Sequence, residues 1–126
     1  MINDENLCIK LELSGDCITL FTHFAHLPHA VLLDSANSEH MNSRFDIIAI
    51  APLKQLEVRD NQCFVDGKLQ SSDCFSLMKS GLREFNHTPN SNNLPFTGGW
   101  LGYFGYDLGR VIESMPTTAE NDINMP

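Results

Sequence analysis

The stretch DSANSEHMNSRFD, residues 34–46, carries side chains that would hold a small zwitterion. Asp34 can accept from an ammonium, and Arg44 can form a forked pair with a carboxylate or phosphate. Ser35, Asn42 and Ser43 add neutral hydrogen bonds, and Phe45 an aromatic wall. Together they suit an amino-acid ligand. The same composition also suits a surface loop built on Asx and Ser turns, with Phe45 anchored in the core.

A second stretch, PFTGGWLGYFGYDLGR at 95–110, interleaves Gly98, Gly99, Gly102, Gly105 and Gly109 with Trp100, Tyr103, Phe104 and Tyr106. Glycine alternating with large rings either admits another backbone or leaves a slot for a flat ligand. The Lys-Ser/Thr pair of a phosphate loop is missing, and the aromatic residues favour a strand over a compact anion nest. Close packing of a central strand, with Gly102 and Gly105 at the contacts, is the reading preferred here. Asp107 can cap a short helix running through Glu113, with Arg110 either solvated or paired to an acid.

No H-E-x-x-H, nucleophile-elbow or dinucleotide fingerprint occurs in the sequence. Cys8, Cys17, Cys63 and Cys74 form no C-x-x-C pair and read as buried or half-buried free thiols. His23, His26 and His29 recur every three residues. A helix running into a Pro-bearing turn cannot aim all three at one ion, so no metal site is assigned.

The elements that must position these residues follow from apolar patterning. AVLLD and RFDIIAIAP flank the polar stretch and read as buried strands near 30–34 and 44–51. LCIKLEL alternates like a strand near 7–13, and QLEVRDNQCFVDGKLQ reads as a meander within 55–69, turning at Asp60-Asn61 and Asp66-Gly67. The glycine-aromatic segment supplies a further strand near 98–106. Helices are predicted near 16–26, capped by Asp16, and near 73–86, capped by Ser72 or Asp73, with Phe75, Met78, Leu82 and Phe85 as core. HTPNSNNLP has the composition of a surface loop. The fold class is α+β: a largely antiparallel β-sheet with packed helices.

With 16 acidic residues against 8 Lys and Arg, the net charge of −8 would repel a phosphate backbone, so nucleic acid is excluded as a partner. No apolar run approaches the ~18 residues that span a bilayer, and the N-terminus has acids where a signal peptide needs basic residues. A cytoplasmic location without a membrane partner is expected. The 126 residues amount to one domain, with 115–126 reading as a linker.

LPHAVLLDSA, NSRFDIIAIAP and LPFTGGWLGYFGYDLGR, in that order, together carry a family resemblance. The chain resembles the N-terminal domain of component I of the aminodeoxychorismate (para-aminobenzoate) synthases, relatives of anthranilate synthase component I. The SRFD and DLGR pieces lean toward the para-aminobenzoate branch. The resemblance implies a parent enzyme that makes 4-amino-4-deoxychorismate for folate biosynthesis from chorismate and ammonia. It also implies a glutamine amidotransferase partner, component II, and Mg²⁺ held in a larger C-terminal chorismate-binding domain. These residues would then be a non-catalytic fragment with no catalytic, metal or cofactor site of its own.

In that family the N-terminal domain contributes to a structural or regulatory L-tryptophan pocket, and the matching positions here are Ser35, Asn42, Ser43, Arg44 and Phe45. Asp34 stands where anthranilate synthases tend to carry glutamate, which shortens the reach to an ammonium. An apolar face left open without the catalytic domain points to a homodimer of the isolated domain. An anthranilate synthase domain with a tryptophan feedback site, and a stand-alone small-molecule binding module, are the alternative readings.

Overall fold

The computed structural model describes residues 8–36, 39–85, 94–116 and 118. Contacts within the chain gather into two compact units, Met1–Leu53 with Thr88–Thr97, and Lys54–His87 with Gly98–Pro126. Antiparallel sheets and a few helices make an α+β fold, as the patterning predicts.

In the first unit, α1 spans Cys17–Thr22 and ends earlier than the predicted 16–26. Its cap is as read: the Asp16 carboxylate accepts the Thr19 amide at 2.6 Å, satisfying one of the N–H groups a helix start leaves open. Beyond Thr22 the chain continues in turns, with His29 in the left-handed region at φ 58°. Strand β1 (Val31–Leu33) pairs antiparallel with β2 (Ile47–Ala49), Val31 opposite Ala49 and Leu33 opposite Ile47. Both predicted strands therefore exist, and they bracket the polar stretch.

Residues 8–13, by contrast, form no strand. Ile9, Leu11 and Leu13 are all more than 60% exposed. Their alternation is a sequence property, whereas a strand also needs a hydrogen-bonding edge to join, and none is supplied to them by the described residues.

In the second unit, β3 (Leu56–Arg59), β4 (Gln62–Val65) and β5 (Lys68–Gln70) form a three-stranded antiparallel meander. Asp60 and Asn61 have φ 49° and 60°, and Asp66 and Gly67 have φ 49° and 74°. Both turns thus place two residues in the left-handed region, as the twist of a tight hairpin requires. Asp66 further accepts the Gln55 amide on its carboxylate at 2.9 Å and donates its own N–H to the Gln55 carbonyl at 3.0 Å, locking the second turn onto the start of β3.

Helix α2 (Cys74–Glu84) is capped by Asp73, which accepts the Ser76 amide at 2.9 Å. Lys54 pairs with Glu84 and lies over the Phe85 ring, 5.5 Å from its centre. The packed face of α2 differs from the one predicted. Phe75 and Leu82 are 42% and 45% exposed, while Cys74 and Gly81 are buried and Met78 and Phe85 half-buried.

The predicted strand at 98–106 is absent, and the chain instead enters a 3-10 helix over Tyr106–Val111. Among the described residues the two separate sheets therefore hold five strands, with none from the glycine-aromatic segment. Gly98 and Gly99 take φ 149° and 132°, a backbone closed to most side chains. A Cβ on Gly102 would meet nothing within 4 Å, so this glycine is no strand contact point. The 3-10 helix begins at Gly105 without a side-chain cap. Asp107 lies inside it and pairs with Arg110 at 2.9 Å, the paired alternative for that arginine. The Arg110 Nη1 also donates to the carbonyls of Met115 (3.2 Å) and Pro116 (2.6 Å). The predicted loop over HTPNSNN and most of the predicted linker, residue 117 and residues 119–126, lie outside the described residues.

Candidate functional site

The β1–β2 hairpin sets the geometry of the polar stretch. Continuing the Leu33–Ile47 register brings Asp34 and Ser35 to the level of Asp46 and Phe45. At that level Ser35 is held twice: its amide donates to the Asp46 carboxylate at 2.8 Å, and its hydroxyl donates to the Phe45 carbonyl. Asp34 turns its carboxylate onto the Ala36 amide at 2.8 Å, an Asx turn that supports Ala36 at φ 56°. The carboxylate read as an ammonium acceptor is thus already engaged by the backbone.

At the far side of the loop, His40 organises the next two candidates. Its carbonyl accepts the Ser43 amide at 2.8 Å, and its ring Nδ1 accepts the Asn42 amide at 3.2 Å. Arg44 then places its guanidinium 5.3 Å from the centre of the Phe45 ring, within cation–π range. Phe45 is 40% exposed, so it is a wall open to solvent and no core anchor. Ser35 and Ser43 are half-buried, whereas Asn42 and Arg44 are exposed.

The structure therefore joins Ser35 to Phe45 directly and stacks Arg44 on Phe45, while Asn42 and Ser43 form a separate turn on His40. A cation, an aromatic face and ordered polar groups on one hairpin end can bind a small anion or an amino acid. Among the described residues of this loop no nucleophile is paired with a base. Among the described residues no cluster of three or more His, Cys, Asp or Glu is placed to hold a metal ion.

Three residues escaped the sequence reading, the first being His40 with its hold on Asn42 and Ser43. Asp46 fixes the Ser35 amide, and Cys17 at the start of α1 feels the same carboxylates. Burial pushes the Cys17 thiol up, and the charges of Asp46, Asp34 and Asp16 push it further. Counting the hairpin register from the two apolar runs would have found Asp46; no signal in the sequence ties Cys17 to the loop.

No family model matches the sequence. The chain is 39% identical over 111 residues to aminodeoxychorismate synthase component 1 of Escherichia coli, covering 84% of the chain and 24% of that protein. The Salmonella typhimurium protein of the same name is 37% identical over the same coverage. Anthranilate synthase component 1 of Acetivibrio thermocellus is 30% identical, covering 100% of the chain and 27% of its own length. The chain thus spans about a quarter of the length of the curated relatives it matches. The chain is accordingly a homologue, over most of its own length, of aminodeoxychorismate synthase component 1 and, at lower identity, of anthranilate synthase component 1.

Proposed function

We propose that these residues are a non-catalytic N-terminal domain of an aminodeoxychorismate synthase component 1, whose parent enzyme makes 4-amino-4-deoxychorismate from chorismate and glutamine-derived ammonia. The observation that carries this reading is the identity gap, 37–39% to aminodeoxychorismate synthases against 28–31% to the anthranilate synthases. The partners that follow are a chorismate-binding domain, where Mg²⁺ would be held, and a glutamine amidotransferase component 2. For the 126 residues by themselves, pairing of two copies through the exposed Ile9, Leu11 and Leu13 is expected, and sedimentation at micromolar concentration reads it.

The β1–β2 loop is proposed as this domain's share of an L-tryptophan pocket. Arg44 would take the ligand carboxylate, Phe45 would face the indole, and Ser35, Asn42 and Ser43 would supply neutral hydrogen bonds. The Arg44–Phe45 stack and the double tether of Ser35 support this reading, because both reduce the ordering that binding requires. Calorimetry of L-tryptophan into the chain, beside Arg44→Ala, tests it. Binding that Arg44→Ala weakens at least tenfold supports the site, and equal binding by both proteins refutes it. Assaying the complete component 1 for aminodeoxychorismate against anthranilate tests the branch.

A further inference from the structure

After the 3-10 helix the chain turns back on itself. The Gly109 carbonyl accepts two amides, from Ile112 at 2.9 Å and from Glu113 at 2.8 Å, and the reversal brings Met115 and Pro116 against the helix they have just left. Two independent contacts hold them there. The Met115 side chain lies on Gly109, where a Cβ would stand 2.9 Å from Sδ and 3.9 Å from Cε. Arg110, oriented by Asp107 through its Nε at 2.9 Å, donates from Nη1 to the Met115 carbonyl at 3.2 Å and the Pro116 carbonyl at 2.6 Å. We propose that residues 112–116 are a strap latched by the Met115 thioether, and that oxidation of Met115 to its sulfoxide by a small peroxide opens the strap.

The latch is apolar on one side and polar on the other. A flexible thioether packs well into the gap that a glycine leaves, and with the sulfur seated there the backbone of 115 and 116 is held within reach of Arg110. The Arg110 side chain is 19% exposed and that of Asp107 72% exposed. The acid therefore contributes little of the cover over the guanidinium, and the strap carbonyls lie on its Nη1 side. A sulfoxide is larger, polar and in need of a hydrogen-bond donor or water. It no longer suits the seat on Gly109, and once the strap lifts Arg110 keeps Asp107 but loses both carbonyls.

Met115 is half-buried, so its sulfur can be reached without unfolding. With hydrogen peroxide as the oxidant the chemistry balances. A sulfur lone pair attacks one peroxide oxygen, the O–O bond breaks and an S–O bond forms. The departing hydroxide takes the proton of the transferred hydroxyl and leaves as water. Two electrons pass from the sulfur to the peroxide, and sulfoxide reductases reverse the change.

The full 126-residue chain is treated with millimolar hydrogen peroxide until Met115 is fully converted, as fragmentation of peptide 111–126 reads separately from Met125. Limited trypsin digestion then follows release of that peptide by cleavage after Arg110, with cleavage after Arg59, whose side chain is 61% exposed, as the internal reference. Release is expected to accelerate several-fold over the untreated chain, while the cut after Arg59 keeps its rate. Met115→Leu retains an apolar latch without an oxidisable sulfur, so peroxide should leave its release unchanged although Met41 and Met78 are still present. An unaltered or slower release with Met115 fully oxidised, the same acceleration in Met115→Leu, or equal acceleration after Arg59 and Arg110 would overturn the proposal.

Discussion

Trp100 closes on Gly81 of α2 so tightly that a Cβ on this glycine would stand 2.5 Å from the ring Cζ2. The indole N–H donates to the Met78 carbonyl at 2.9 Å, fixing the ring on the same helix. Gly81→Val should therefore lose about 2–3 kcal/mol through overpacking, although valine is the better helix former. Thermal unfolding gives the loss, and emission from the only tryptophan in the chain should shift red as its ring is displaced.

Gly102 makes the opposite case. Open space surrounds the position where its Cβ would stand, and its φ lies outside the left-handed region. Gly102→Ala is expected to change stability by less than about 0.5 kcal/mol. A large loss by thermal unfolding would restore the close strand contact that the sequence pattern suggested.

The helix caps make stability depend on acid. The backbone N–H of Thr19, then its side chain, hold the Asp16 carboxyl below its usual value; the Ser76 side chain and then its backbone do the same for Asp73. Each lowered carboxyl contributes stability that is complete above the unfolded carboxylate pKa of about 3.9. That contribution is lost as pH falls through the lower folded value. Asp73→Ala should lower Tm at pH 7 and flatten the decline of Tm with acid, as measured by circular dichroism.

The tether of Ser35 can be cut from either end. Ser35→Ala removes the hydroxyl that donates to Phe45, and a half-buried neutral hydrogen bond of this kind is worth about 1 kcal/mol. Hydrogen exchange of the amides in β1 and β2 should rise by a corresponding factor, because those strands are only three residues each.

Asp46 also reaches Cys17. Asp46→Asn keeps the oxygen that accepts the Ser35 amide but removes a charge that pushes the Cys17 thiol up. Alkylation of Cys17 at pH 8 should speed up several-fold, while Cys8 reacts at an unchanged rate.

The features legible in the sequence were those settled within a few residues. Asp16 and Asp73 were readable as caps, and Asp60-Asn61 and Asp66-Gly67 as turns, because side-chain length and left-handed backbone decide them locally. The strands expected near 7–13 and 98–106 do not form over their described residues, because alternation shows which face would be buried but not whether an edge exists to pair with. The packed face of α2 was misread by one residue. Apolar size pointed to Phe75 and Leu82, whereas the face that packs runs through Cys74, Met78, Gly81 and Phe85, with the absence of a side chain at Gly81 making room for Trp100. At the loop, residue types named Arg44 and Phe45, but their stacking and the hold of Asp46 on Ser35 depend on hairpin register.

The two-residue turns of the meander also set an order of events during synthesis. Pairing of β3 with β4 and of β4 with β5 closes very short loops, so contact order is low and each hairpin can form in about 1–10 μs. Translation adds residues far more slowly, at about 5–20 per second. A nascent chain therefore completes its meander before Trp100 leaves the ribosome, and α2 presents an uncovered Gly81 face until that ring emerges. A ribosome paused in this interval would hold a chain with its strands paired and its helix still without its aromatic cover.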